Sequence, residues 1–114
     1  MNVLNGPDET MICGLAVGAD GAIGTTYNIL PKLAVGIYDA FTAGNFQEAR
    51  EKQNKLNAMI KIGIKYGSLA YWKAMLTLLG FDMGYTVFPC KMPQEQDLAT
   101  LKSELEEIGF FGLV

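Results

Sequence analysis

Two short apolar runs, each followed by a polar, glycine-bearing turn, open the chain, and helical periodicity fills the rest. Val3 and Leu4 form the first run, and Asn5-Gly6-Pro7-Asp8-Glu9 follows it. Asp8 and Glu9 fall where a helix should begin, because acidic groups favour a helix N-terminus. Met11, Ile12, Leu15 and Ala16 then recur at helical spacing to about Val17, and Gly18 ends the helix as a turn glycine. Residues 21–25 are predicted to form a second short strand, with Ala22 and Ile23 inside. Thr25, Thr26, Tyr27 and Asn28 then present hydrogen-bonding groups where that strand ends.

The next helix takes Pro31 into its first turn and has Leu33, Ile37, Ala40 and Phe41 as its apolar face, with Gly44 as the stop. Asn45 reads as an N-cap, and Glu48 three residues on is the return half of a capping box. Phe46, Ala49, Gln53, Leu56, Ile60 and Ile64 trace one face of a long helix that ends at Gly67. Gln53 within that stripe predicts a polar contact between helices or subunits. Ser68 is placed to cap a further helix with Leu69, Trp72, Leu76 and Leu79 as its buried stripe. Residues 80–93 carry Gly80, Gly84, Pro89 and Pro93 and read as an irregular crossing. A last helix starts near Gln94 with Leu98, Leu101, Leu105 and Ile108 inward, and the apolar tail from Gly109 to Val114 is expected to dock. Strand, helix, strand and helix followed by three helices is an α/β order. Two strands alone make a poor parallel sheet, because such sheets are buried on both faces and need neighbours at both edges.

Composition agrees with that shortfall. The 114 residues suit one domain, and 50% are hydrophobic against 18% charged. That apolar share suits part of a larger body. A net charge of −3 gives no reason to expect nucleic acid, and no basic stripe carries interleaved aromatics. Cys13 and Cys90 fit no metal spacing, and histidine is absent. Both cysteines are expected reduced and buried, and Met11, Met59, Met75 and Met83 are expected to fill the core. No uncharged run reaches the roughly 18 residues of a membrane span, and no signal peptide opens the chain. A cytoplasmic setting, with no membrane partner, is the resulting expectation.

The two polar turns also carry a resemblance. Asn5-Gly6-Pro7-Asp8-Glu9, followed by Gly18-Ala19-Asp20-Gly21-Ala22-Ile23-Gly24-Thr25-Thr26-Tyr27-Asn28, resembles the C-terminal part of the N-acetylneuraminate lyases. These belong to the Schiff-base class I aldolase superfamily that includes dihydrodipicolinate synthase. Lys65-Tyr66-Gly67, Trp72-Lys73-Ala74-Met75-Leu76 and Pro89-Cys90-Lys91-Met92-Pro93 extend the likeness over nearly the whole chain. The resemblance implies a TIM (β/α)8 barrel, typically about 250 residues. Residues 1–44 would be the end of the seventh strand, the eighth strand and their helices, with the first six units missing. Residues 45–114 would be a C-terminal three-helix extension. As an isolated chain the whole would be mostly helical.

The resemblance also implies substrate contacts. The Gly6 backbone would meet the sugar acid, Asp8 and Glu9 would accept hydrogen bonds from its hydroxyls, and Thr25 stands where the family usually has serine. Ionised carboxylates are acceptor-only groups that suit hydroxyl donors. Without the resemblance, Asp8 and Glu9 read first as charges at a helix N-terminus. The family's Schiff-base lysine, proton-relaying tyrosine and pyruvate-carboxylate turn come from earlier strands, and nothing here matches them. The implied parent cleaves N-acetylneuraminate to N-acetylmannosamine and pyruvate as an oligomer, typically a tetramer, with no cofactor and no metal. The chain itself is expected to be inactive, with no catalytic residue. Lys73 reads as a snorkelling lysine and Tyr27 as a structural or lining residue. Alternatives are a fragment of a related pyruvate-dependent aldolase (2-keto-3-deoxygluconate aldolase or dihydrodipicolinate synthase type), a non-catalytic half of a split enzyme, or an oligomerisation module.

Overall fold

The computed structural model describes residues 1–67 and 69–114. The predicted cap at Ser68 lies outside the described residues. Strand β1 (Leu4–Asn5) leads through a 3-10 turn (Asp8–Thr10) into α1 (Met11–Ala16), and β2 (Gly21–Ala22) pairs with β1 in parallel. The register sets Leu4 opposite Gly21 and Asn5 opposite Ala22. A second 3-10 turn (Thr25–Asn28) precedes α2 (Pro31–Thr42), α3 (Phe46–Tyr66), α4 (Leu69–Leu78), α5 (Glu95–Glu107) and a final 3-10 turn (Phe110–Gly112). The order is the expected one, with β2 shorter than predicted. The backbone amide of Ile23 still donates to the Asn5 carbonyl at 3.0 Å. Beyond it the chain turns into the 3-10 segment instead of extending to Thr25. Ile23 is exposed rather than inside.

One apolar core joins these elements. Met11 and Leu15 of α1, Leu33 and Ile37 of α2, and Leu56 and Met59 of α3 belong to it, together with Met75, Leu101, Leu105 and Phe110. Met11 and Leu15 are four residues apart and share a helix face. Cys13 points away from that face and is exposed, and Cys90 is half-buried, so neither cysteine packs in the core as expected. Pro31 opens α2, where a missing N–H costs nothing. Gly67 closes α3 in the left-handed conformation, at φ 63°.

Several helix faces differ from the sequence pattern. Asn45 occupies the N-cap of α3 but makes no side-chain cap bond. Glu48 pairs instead with Lys52 at 3.2 Å, and the reciprocal capping pair forms on α5 between Gln94 and Asp97. Phe46 and Ile64 lie outside the buried stripe of α3, which runs through Ala49, Gln53, Leu56, Met59, Ile60 and Gly63. On α4 the fully buried residues are Ala70, Ala74 and Met75, while Leu69 is exposed. Between α3 and α4 the approach is close at Gly63. Met83 is exposed on the crossing rather than filling the core.

Gly63 shows such an approach. A Cβ there would stand 2.0 Å from Cη2 of Trp72, so the six-membered ring of the indole lies against a bare stretch of α3. Gly63→Ala is expected to destabilise the protein by about 1–3 kcal/mol through overpacking, even though alanine improves helix propensity by up to about 1 kcal/mol. Trp72 is the lone tryptophan. Its fluorescence should therefore shift to the red in G63A, and urea unfolding should give the loss of stability.

Lys73 is more than a snorkelling lysine. Its Nζ donates to the Met83 carbonyl at 3.0 Å and the Tyr85 carbonyl at 2.9 Å, tying α4 to the crossing. The tail docks as the sequence suggests, with Phe110 fully buried and Lys32 Nζ donating to the Val114 carbonyl at 3.2 Å.

Candidate active-site wall

Parallel pairing brings both polar turns to the same end of the sheet. The turn after β1 is folded by Asn5, whose Nδ2 donates to the Pro7 carbonyl at 2.8 Å. That carbonyl also accepts the Thr10 amide and the Thr10 hydroxyl, each at 3.1 Å. Gly14 leaves room for the Asn5 side chain, since a Cβ there would lie 2.4 Å from Asn5 Oδ1. Asn5 therefore fixes the path through Gly6 and Pro7 and aims Asp8 across to the second turn.

Asp8 joins the two turns. Its Oδ2 accepts the Thr26 amide at 2.8 Å and the Thr26 hydroxyl in a short contact. Thr26 is buried, so the carboxylate satisfies donors that would otherwise lose water without replacement. Gly24 lies beneath the same carboxylate, and a Cβ there would sit 2.0 Å from Asp8 Oδ1. Gly24 has an extended backbone, at φ −163°, so close approach rather than unusual torsion calls for glycine there. Gly6 differs. A Cβ on Gly6 would meet nothing within 4 Å, and its φ is not in the left-handed region. The chain's own packing therefore gives no reason for glycine at that position.

Glu9 and Thr25 are both exposed at this end of the sheet, and Asp8 is half-buried. The four residues singled out from the sequence thus gather around one clasp. Asp8 is tied to Thr26, and the side chains of Glu9 and Thr25 remain open to solvent.

Helix α3 holds the first turn from below. Gln53 is 2% exposed, and its Nε2 donates to the Asp8 carbonyl at 3.1 Å and to Asn57 Oδ1 at 2.9 Å. Its Oε1 accepts the Ile12 amide at 3.4 Å. Asn57 Nδ2 donates to the Glu9 carbonyl at 3.2 Å. Gln53 is thus the interhelical polar contact predicted for it. The part played by Asn57 was missed, although its position one turn after Gln53 was the available signal. The backbone of both acidic residues is anchored by α3, which orients their carboxylates.

Tyr27 lines a cleft of about 370 Å³ beside the sheet, with Leu4, Met11, Ala22 and Ala34. Its hydroxyl is buried and has no partner among the described residues. Burial, followed by the nearby charges of Asp8 and Glu9, pushes the phenol up to about 12. The unfolded chain ionises near 10. The stability that Tyr27 contributes is therefore complete below about pH 10 and is lost as pH rises toward 12. Tyr27→Phe should flatten the alkaline fall in stability measured by urea unfolding. A residual slope should remain, because burial also raises Tyr66 and Tyr71.

Such a strand–helix–strand unit, with acidic and hydroxyl groups at the strand ends and helices stacked beyond, is built like the rim of a barrel enzyme. Residues 1–108 match the dihydrodipicolinate synthetase family, and the chain belongs to that family. It is 40% identical over 106 residues to an N-acetylneuraminate lyase of Rhizobium meliloti, covering 93% of this chain and 36% of that lyase. It is 32% identical over 108 residues to a 4-hydroxy-tetrahydrodipicolinate synthase of Chlorobaculum parvum, covering 95% of this chain and 36% of the synthase. Among solved structures, the N-acetylneuraminate lyase of Proteus mirabilis superposes with a TM-score of 0.83 at 30% identity, over 92% of this chain and 36% of that one. The chain therefore spans about a third of the length of the relatives it matches.

Proposed function

We propose that this chain is the C-terminal part of a sialic-acid aldolase and supplies the wall of the active site that holds the sugar. One observation carries the reading. Parallel pairing of β1 with β2 sets the Gly6–Glu9 turn and Thr25 at one strand end, in a chain 40% identical to an N-acetylneuraminate lyase. Catalytic groups of barrel enzymes sit at that end of the strands.

In this reading the open space over Gly6 admits the sugar chain close to the backbone. The Glu9 carboxylate accepts from sugar hydroxyls. Asp8 holds the second turn in register through Thr26 and offers its remaining acceptor capacity to the same hydroxyls. The Thr25 hydroxyl faces them from the opposite side. Cleavage of N-acetylneuraminate to N-acetylmannosamine and pyruvate would proceed through a lysine Schiff base, whose iminium takes up the electrons of the broken carbon–carbon bond. That lysine, the tyrosine that relays protons and the turn that binds the pyruvate carboxylate belong to strands outside these residues.

Borohydride reduction in the presence of pyruvate tests the division of labour. Intact-mass measurement should find no stable adduct on this chain. A pyruvate adduct on Lys73 or any other lysine would overturn the reading.

A further inference from the structure

Glu9 sits in a single 3-10 turn of three residues, Asp8–Thr10. So short a turn does not hold its own path, because forming one isolated hydrogen-bonded turn is unfavourable. Side chains supply what it lacks. Three successive carbonyls along it, those of Pro7, Asp8 and Glu9, each accept from a side chain. Asn5 and Thr10 donate to the first, Gln53 to the second and Asn57 to the third.

The two donors on α3 differ in kind. Gln53 is buried, so its amide has to find partners inside the protein, and the bonds to Asp8, Asn57 and Ile12 meet that need. Asn57 is half-buried and Glu9 is exposed. Water could satisfy the Glu9 carbonyl, so burial gives no reason for the bond that Asn57 makes to it. What that bond adds is position. Among the described residues the Glu9 carboxylate has no hydrogen bond or ion pair of its own. The residue is located through its backbone, where Asn57 Nδ2 holds the carbonyl at 3.2 Å.

We propose that Asn57 is a positioning residue for the sugar site, which presents the Glu9 carboxylate at a fixed place and so sets the affinity for a polyhydroxylated ligand. The inference rests on the reading of Glu9 as an acceptor for sugar hydroxyls. A group already held where the ligand needs it loses less freedom on binding. Helix α3 thereby bears on affinity, although it lies outside the strand ends that form the site.

Titration of the isotope-labelled chain with N-acetylmannosamine, followed by NMR at the Thr25 amide, tests this. Asn57→Asp keeps the Oδ1 acceptor used by Gln53 and removes the Nδ2 donor to Glu9. Asn57→Leu removes the donor without adding charge. Both variants should bind the sugar about threefold to tenfold more weakly, as for loss of one hydrogen bond. Relaxation measurements should show a more mobile Glu9 amide in both, while the Thr26 amide, bonded to Asp8, stays as rigid as before. That split separates positioning from a general loosening of the fold. Unchanged affinity, an unchanged Glu9 amide, or equal loosening at Thr26 would overturn the role of Asn57 and leave the sugar site standing. Weaker binding in N57D alone would do the same, as the mark of charge repulsion. No Thr25 shift in the unaltered chain would overturn the sugar-binding reading and this inference with it.

Discussion

Replacing Phe110 with alanine is expected to destabilise the protein by about 3–5 kcal/mol, the usual cost of deleting a buried phenylalanine. Phe110 is fully buried and belongs to the same core cluster as Leu33 of α2, Leu56 of α3 and Leu101 of α5. It therefore connects the end of the chain to helices far earlier in sequence. Gly109, left-handed at φ 70°, turns the chain out of α5 and delivers the ring inward. Phe111 packs edge-on against it at 5.0 Å between centroids but stays 38% exposed. Phe111→Ala should accordingly cost less than about 1 kcal/mol, since partly exposed apolar side chains lose less area on truncation. Urea unfolding followed by Trp72 fluorescence measures both. A lower midpoint with an unchanged slope for F110A would show lost stability rather than an altered unfolded state. Similar values for the two variants would refute the view that the tail closes the core.

The helical frame was legible in the sequence because its signals are local. Pro31 and Gly67 act within a single turn, and the spacing of Leu101 and Leu105 marks an inward face whatever the partner. The errors occur where an outcome depends on a neighbour distant in sequence. The periodicity of α4 suggests an inward Leu69, but Ala70, Ala74 and Met75 take the buried positions and Leu69 is exposed. Asn45 has the right chemistry for a capping bond, yet its backbone adopts a torsion from which the side chain makes none. Ile23 looks like an interior strand residue, and it is exposed because only β1 pairs with β2 among the described residues. The site divides in the same way. Residue types and the resemblance picked out Gly6, Asp8, Glu9 and Thr25. The clasp from Asp8 to Thr26 and the support from Asn57 arise from contacts across 18 and 48 positions of sequence, which no motif spacing encodes.

That clasp yields a sharper test than either residue alone. Asp8→Ala removes an acceptor shared by two donors of Thr26, and hydrogen bonds to ionised groups contribute about 1.5–3 kcal/mol each. Thr26 is 4% exposed, so its amide and hydroxyl would have little access to water in exchange. A loss of about 3 kcal/mol is expected, together with loosening of the turn that carries Thr25. Gly24→Ala attacks the same contact from the other side. An alanine methyl would occupy the space of the Asp8 carboxylate, while the backbone at φ −163° accepts alanine without strain. The carboxylate must then swing away, and the bonds to Thr26 go with it. The two substitutions should therefore be strongly non-additive. Gly24→Ala should cost about 2–3 kcal/mol in the unaltered chain, as for loss of a charge-assisted bond, and close to nothing once Asp8 is alanine. A coupling energy of about 2 kcal/mol in a double-mutant cycle of urea unfolding is the expected result, within the range for residues in direct contact. Additive costs would mean that glycine is needed at position 24 for some reason other than Asp8. The open space over Gly6 supplies the contrast within the same turn. Gly6→Ala should leave stability unchanged within about 0.5 kcal/mol, as expected of a surface change that touches nothing, so that any effect on sugar binding reports the ligand's own approach to the backbone.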